Sequence, residues 1–322
     1  MKKIAQGLNA VSNVLDSAKP IIETLAEMEQ DEKNKEDETL ELIKGVMNGN
    51  VSEENIERLI QEERKEVQEE DKIVQGLTKL VQEEKSGVNQ FESIIQALGQ
   101  EEQQADNKLN ELSNFISQIE GDGSVELTSE VMNNLFNESK TAADMILDEA
   151  NEELQASNLS KKLAEELGFS VKEVINAEQL EQEEEFEERR IEEIAQRINS
   201  QRLEELLQEL ERHTMQDEQK TKKDHEALVE LIEESEATEE QLEKETHHTY
   251  KEAEQLKNML REVRKLGNQA GMADKQFQQN FGNLIDEVEN AEDEAEQAGQ
   301  IEQEVEQTEQ QEASKAEENY PN

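Results

Sequence analysis

The sequence contains no cysteine, no tryptophan and only two prolines, and aromatic residues make up 3% of its 322 residues. The absence of cysteine excludes disulfide bonds, thiolate metal sites and cysteine nucleophiles. Hydrophobic residues amount to only 33%, which argues against a large globular core. No apolar run approaches the roughly 20 residues that a membrane-spanning helix needs. The composition therefore leaves long helices or disorder as the main possibilities.

Basic residues are also scarce, because 33 Lys and Arg face 82 Asp and Glu for a formal net charge of -49. Binding to nucleic acid depends on Lys and Arg that replace counterions, so we predict no nucleic-acid partner. At roughly 1 M salt the Debye length is about 3 Å, and most self-repulsion is screened. We therefore expect a halophilic protein in a high-salt cytoplasm; an acidic coiled coil in ordinary salt is the alternative.

The clearest regularity lies between Ile56 and Ile119, where apolar residues recur at alternating spacings of four and three. This period of 3.5 residues predicts a long helix with a buried stripe. Additional apolar residues at heptad position g widen the stripe, which predicts several neighbouring helices rather than one. The predicted interaction residues of this core seam are Ile60, Val67, Val74, Leu77, Val81, Val88, Phe91, Ile95, Leu98, Leu109, Leu112 and Ile116.

Four glutamates interrupt the same stripe: Glu63, Glu70, Glu84 and Glu102. Because a fully buried carboxylate is unfavourable, the sequence predicts that the helix is only half covered at these four levels.

Changes in composition divide the rest of the chain. Fold class is predicted as all-α, with long helices forming an antiparallel coiled-coil or helical bundle. The predicted segments are an amphipathic helix (1–28), a linker with a short helix (29–52), the long heptad helix (53–120), a helical segment (125–168), acidic long helices (169–266), an Ala-rich helix (272–306) and a disordered tail (307–322).

The N-terminal segment is the only stretch that is not acidic. Its apolar stripe includes Ile4, Leu8, Val11 and Leu15, and the basic residues Lys2 and Lys3 precede it. Such a helix suits either the shared bundle or an anionic membrane surface. In layout, a basic amphipathic N-terminus followed by long helices resembles membrane-remodelling proteins of the phage-shock and ESCRT-III kind.

All four histidines fall within one 36-residue span, and Glu245 and His248 match the Glu-x-x-His element of di-iron carboxylate bundles. Such sites need a second copy of the element, and the sequence has none. We therefore predict no metal, no cofactor and no catalytic residues, and we expect solvated surface histidines.

Two short runs resemble known families. Residues 159–175, with Gly168 and Ser170, resemble the core of a helix-turn-helix motif, which implies a transcription regulator. Residues 262–266 resemble a run found just past the hairpin tip of bacterial and archaeal chemoreceptor signalling domains, which implies a signalling coiled coil. The Gly- and Phe-bearing tip of that family is replaced here by residues 257–260.

The sequence as a whole predicts a non-enzymatic, oligomeric scaffold that binds protein partners, either itself or another helical protein, in the cytoplasm. We expect no small-molecule ligand. A peripheral membrane-associated protein is the alternative, and a chemoreceptor-like coiled coil or a transcription regulator is a third possibility.

Overall fold

The structure, a computed structural model, describes residues 2–49, 51–122, 128–198, 200–269, 271 and 275–318. Within these ranges the chain forms α-helices and no strand, and the helices pack together as a bundle, which confirms the predicted all-α fold class. The helices are α1 (Lys2–Asn48), α2 (Glu53–Asp122), α3 (Ser129–Ala195), α4 (Gln201–Gln269) and α5 (Lys275–Glu318).

The chain divides into two compact units, and segments of all five helices contribute to each. Unit 1 comprises Met1–Ser12, Val88–Lys162 and Ser235–Thr308, and unit 2 comprises Asn13–Gly87, Leu163–Glu234 and Glu309–Asn322.

Helices that follow one another in the chain run antiparallel within unit 2. Thr39 of α1 donates a hydrogen bond to Glu66 of α2, whereas the earlier Leu25 lies against the later Gly76. The same relation joins α3 and α4, where Thr214 donates to Glu188 at 2.7 Å. Unit 2 is therefore built from two antiparallel helical hairpins.

The two hairpins of unit 2 pack side by side, so that α3 runs parallel to α1 and α4 runs parallel to α2. Asn176 of α3 donates to Glu29 of α1 at 2.9 Å. Lys220 of α4 bonds to Asp71 of α2 at 2.8 Å, and further along both helices Thr78 donates to Asp224 at 2.7 Å. α3 therefore lies along α1 as α4 lies along α2.

Unit 1 has a more apolar interior, to which α5 also contributes. Phe281 of α5 is fully buried and packs edge-on against Phe136 of α3, with ring centroids 5.2 Å apart. The ring of Phe277 also packs against that of Phe281, with centroids 4.7 Å apart. Ala291 and Ala295 of α5, four residues apart on the predicted Ala-rich helix, are buried in this core.

Several predicted segment boundaries differ from the structure. α1 continues through Pro20 and through the acidic residues 29–38, because Glu29, Glu32 and Glu36 are buried on the same helical face as Leu25 and Ile43. The charged stretch is therefore part of the bundle and not a linker.

α3 likewise continues through residues 168–170, where the resemblance to a helix-turn-helix predicted a turn. Ser170 does not cap a helix; its hydroxyl is buried and donates to Glu84 of α2. α5 extends through the predicted tail as far as Glu318, and Glu309 is buried within it. The predicted break at Gly121–Ser124 lies largely outside the described residues.

One glycine of α4 marks a close approach between helices in unit 1. A Cβ added to Gly267 would collide with two atoms of the Phe277 ring, whereas one added to Gly282 of α5 would meet nothing within 4 Å. We expect Gly267→Ala to destabilise the protein by about 1–3 kcal/mol through overpacking. Gly282→Ala should instead be stabilising by up to about 1 kcal/mol, because alanine favours helix.

Chemical denaturation of the two alanine variants and the parent protein measures both effects. Equal and small changes for the two variants would show that α4 and α5 do not approach each other at Gly267.

Candidate functional site

The predicted interaction residues of the long heptad helix form the interior of the two units. All twelve side chains from Ile60 to Ile116 are buried, and so are Leu59, Ile73, Leu80 and Ile94 at position g. The widened stripe of α2 is thus covered by several helices, as its g positions predicted. These residues stabilise the fold and are not available as a surface.

The apolar stripe of the N-terminal segment is covered as well. Ile4, Leu8, Val11 and Leu15 are buried, and a Cβ at Gly7 would lie 2.7 Å from Ile94 of α2. Lys3 is exposed, and the side chain of Lys2 lies outside the described residues. In the part of the chain that the structure describes, no helix is long and apolar enough to cross a bilayer.

The prediction of half-covered levels at the seam glutamates is wrong for three of the four. Glu63, Glu70 and Glu84 are 0%, 3% and 1% exposed, while Glu102 is half-buried. Burial is possible because each faces acidic or hydroxyl side chains of other helices rather than hydrocarbon alone, and because protonation removes the charge.

In unit 2, one of these three glutamates, Glu63, belongs to a layer of buried carboxyl groups. The oxygens of Glu63 and Glu66 of α2 and of Glu187 of α3 lie within 4.8 Å of one another. Burial, followed by the charges of Glu187 and Glu66, raises the pKa of Glu63 to about 10. Burial and the neighbouring Glu183 raise the pKa of Glu36 to about 9. The layer therefore holds protons at neutral pH.

Hydroxyl groups on facing helices recur as partners of the buried carboxyl groups. In unit 2, Ser170 donates to Glu84 and Thr221 donates to Glu181. In unit 1, Thr249 of α4 donates to Glu153 of α3 at 2.7 Å. Such bonds lower the pKa of their acceptors, but burial dominates and raises the pKa of Glu84, Glu153 and Glu181 to about 8 in each case.

Unit 1 contains a second cluster, and this one includes a histidine. Asp106 of α2 and His248 and Glu252 of α4 place one ligand atom each within 4.8 Å of one another. Asp106 and Glu252 face Nε2 of His248, whereas Glu102 faces its Nδ1, with Oε1 of Glu102 at 3.3 Å. Burial and then the charge of Glu149 raise the pKa of Glu252 to about 9. The cluster therefore brings together acidic side chains from three helices, α2, α3 and α4.

The four histidines differ in their surroundings. His213 and His247 are exposed, as predicted. His225 is not on the surface: it is 2% exposed, and its Nδ1 lies 2.7 Å from Oε1 of Glu178 across the α3–α4 hairpin. His248 is half-buried within the carboxylate cluster of unit 1.

A groove of about 650 Å³ opens between α3, α4 and their connecting turn in unit 2. Its apolar part is formed by Leu203, Leu207, Leu210 and Met215 of α4, together with Ala195 and Ile198. Met215 is 52% exposed, which is unusual for a large apolar side chain in this protein.

Acidic residues surround the groove. Six glutamates line it against a single arginine: Glu185, Glu188, Glu192, Glu204, Glu211, Glu218 and Arg189. Arg189 is itself bonded to Glu185 at 2.7 Å. Because Glu188 is half-buried, its pKa is raised to about 7, chiefly by burial. The groove combines an apolar floor with a strongly negative rim.

Sequence reasoning missed both features. The segment 169–266 was predicted as acidic long helices without a boundary between them, but α3 ends at Ala195 and α4 begins at Gln201, so the groove follows a turn between two helices. For the unit 1 cluster, one signal was available: His248 and Glu252 are four residues apart and share a helical face. Asp106 is 142 positions from His248 and carries no signal of its own.

Comparisons with known proteins show no family for this chain. No family model matches the sequence, and none of the curated proteins matches it. Among solved structures, a computationally designed self-assembling cyclic homo-oligomer is 12% identical, with 89% of this chain and 98% of that chain covered at a TM-score of 0.16. A de novo designed helical repeat protein is 13% identical, with 85% and 98% covered at a TM-score of 0.17.

Proposed function

We propose that the protein is a non-enzymatic scaffold that binds a basic amphipathic helix of a partner protein in the α3–α4 groove of unit 2. The observation that carries this proposal is the pairing of an apolar floor with six rim glutamates in one groove. Helix-in-groove recognition uses anchors at spacings of three and four, which the exposed parts of Leu207 and Met215 can accept.

The chemistry of the partner follows from the rim. A helix with Lys or Arg beside its apolar stripe would neutralise the rim glutamates, whereas an acidic helix would be repelled. In high salt the rim charges are screened, and burial of apolar surface against Leu207 and Met215 then supplies the affinity. The proposal assigns this role to a cytoplasmic, oligomeric protein, as the composition predicted.

A labelled model peptide of about 18 residues, with leucines at spacings of three and four and lysines elsewhere, tests the proposal. We expect saturable binding by fluorescence anisotropy at moderate salt. The same peptide with glutamates in place of the lysines should not bind, because like charges would meet across the rim.

Matched charge reversals locate the binding surface. Glu192→Lys with Glu211→Lys reverses two charges on the rim, and Glu54→Lys with Glu233→Lys makes the same change in net charge at exposed positions outside the groove lining. The rim variant should weaken binding at least about tenfold, while the control variant should bind like the parent protein. Equal losses in both variants would indicate nonspecific attraction and would overturn the proposal.

The alternatives predicted from the sequence require other surfaces. Membrane binding by the N-terminal helix requires Ile4, Leu8 and Val11 to leave the core of the bundle. Of the lysines near the helix-turn-helix resemblance, Lys161 is bonded to Glu304 and Lys172 to Glu173. Neither alternative has a free surface comparable to the groove, which is why we favour the scaffold.

A further inference from the structure

The carboxylate cluster of unit 1 has the geometry of a metal-binding site. Nε2 of His248 lies 3.5 Å from Oδ1 of Asp106 and 3.6 Å from Oε1 of Glu252. These separations are long for hydrogen bonds. Two ligands bonded to one tetrahedral ion at about 2.0–2.2 Å lie about 3.3–3.6 Å apart, so Nε2 of His248 lies at the spacing that such an ion requires from each of the two carboxylates.

A second, independent observation concerns unsatisfied buried groups at this point. Oε1 of Glu149, whose side chain is 3% exposed, has no hydrogen-bond partner, and neither has Nε2 of His248. Glu252 is 2% exposed and its carboxyl group meets that of Asp106. Buried polar groups in proteins are nearly always satisfied, and an ion held between them is one of the explanations for an exception.

The surrounding residues resemble the outer shell of a metal site. Glu102 of α2 faces Nδ1 of His248 at 3.3 Å, opposite the nitrogen that faces Asp106 and Glu252. A carboxylate in this position fixes the orientation of a metal-binding imidazole and raises its basicity. Glu149 of α3, 3% exposed, supplies a further carboxylate close enough to perturb Glu252.

We propose that Asp106, His248 and Glu252 bind one divalent first-row transition metal ion, with Zn²⁺ as its representative. An imidazole nitrogen favours such ions over Mg²⁺ and Ca²⁺, which prefer all-oxygen sites. The ion is held by side chains of α2 and α4, next to Glu149 of α3, and thereby joins α2 to α4 within unit 1. This site is separate in sequence from the groove of unit 2, so its failure would leave the proposed scaffold function untouched.

Isothermal titration of the chelator-treated full-length protein with ZnCl₂ tests this site. We expect one saturable event that His248→Ala and Glu252→Gln each weaken by about 10–100-fold or more. His247→Ala is the matched control, because His247 is the exposed neighbour of His248 and should leave the event unchanged. Zinc binding of equal strength in the parent and His248→Ala proteins would overturn the proposal.

Two further measurements separate loss of a ligand from loss of the fold and define the ion. Glu252→Gln removes a buried ionisable group, so without metal this variant should unfold at a temperature equal to or above that of the parent. Titrations with MgCl₂ and CaCl₂ should show only weak, unsaturable uptake by surface carboxylates. Tight binding of Ca²⁺ or Mg²⁺ that Glu252→Gln abolishes would contradict the assigned class of ion.

Discussion

Lowering the pH from 8 to 6 is expected to raise the midpoint of thermal unfolding by roughly 10 °C or more. The cause is the set of carboxyl groups whose pKa is raised by burial, among them Glu63 to about 10 and Glu149 to about 9. In the unfolded chain these groups ionise near the ordinary glutamate pKa of 4.5. The folded state therefore binds protons that the unfolded state has released.

The direction of the effect follows from this difference in bound protons. Between pH 4.5 and the folded pKa of each group, the free energy of unfolding falls as the pH rises, by about 1.4 kcal/mol per pH unit for one such group. Stability should thus decline from pH 6 through pH 9, the opposite of what salt-bridged carboxylates would give. Calorimetry on the metal-free protein at constant ionic strength measures this profile.

Glu63→Gln isolates the contribution of the unit 2 layer. Glutamine keeps the shape of the side chain and removes the ionisable group, so the variant should be more stable than the parent at pH 9 by about 1 kcal/mol or more. Its advantage should shrink toward pH 5. Glu54→Gln is the control at an exposed position of α2 and should change stability by less than about 0.5 kcal/mol. A flat difference between Glu63→Gln and the parent across this range would contradict protonation of Glu63.

Raising the salt concentration from about 0.01 M to about 1 M at pH 8 should produce the second large effect, an increase in both helicity and unfolding temperature. A net charge of -49 repels itself in the folded chain, and screening at short Debye length removes most of that repulsion. Circular dichroism over this series measures the change. Full helicity and an unchanged unfolding temperature at low salt would contradict the expected adaptation to high salt.

Salt and pH act on different carboxylates, which allows the two effects to be separated. Screening reaches exposed groups and not fully buried ones, so Glu63→Gln should leave the salt dependence unchanged. At pH 5.5 many exposed carboxylates remain ionised while the buried ones are protonated, and the salt effect should persist there in reduced form.

The heptad pattern of α2 shows how much of the fold could be predicted. Apolar residues at a, d and g, such as Ile60, Leu77 and Ile73, predicted one long helix with several neighbours, and the structure confirms this. The pattern has a local period, so it is visible without any knowledge of the partners.

The buried glutamates could not be predicted by the same reasoning. Hydropathy treats each carboxylate as a group that faces water, yet Glu63 and Glu187, 124 positions apart in sequence, are brought into one layer. Whether such a group is protonated depends on neighbours that only the tertiary structure specifies. The interior of unit 2 therefore contradicted the expectation of thin cover at Glu63, Glu70 and Glu84.

Helix ends were mispredicted for a related reason. Gly168 and Ser170 have the residue types of a helix end and a helix start, but tertiary contacts kept α3 continuous. Ser170 donates to Glu84, and Gly168 lies against Glu312 of α5 in unit 2. Local signals for capping were overridden by packing.

The interior carboxyl groups of both units are expected to be protonated at neutral pH. Eight glutamates have a pKa of about 8 to about 10: Glu29, Glu36, Glu63, Glu84, Glu149, Glu153, Glu181 and Glu252. Proton release on unfolding by guanidinium in weakly buffered, metal-free solution at pH 7 tests it most directly. We predict the release of several protons per chain, approaching this number. Release of none, or uptake of protons, would show that the interior carboxylates are ionised in the folded protein.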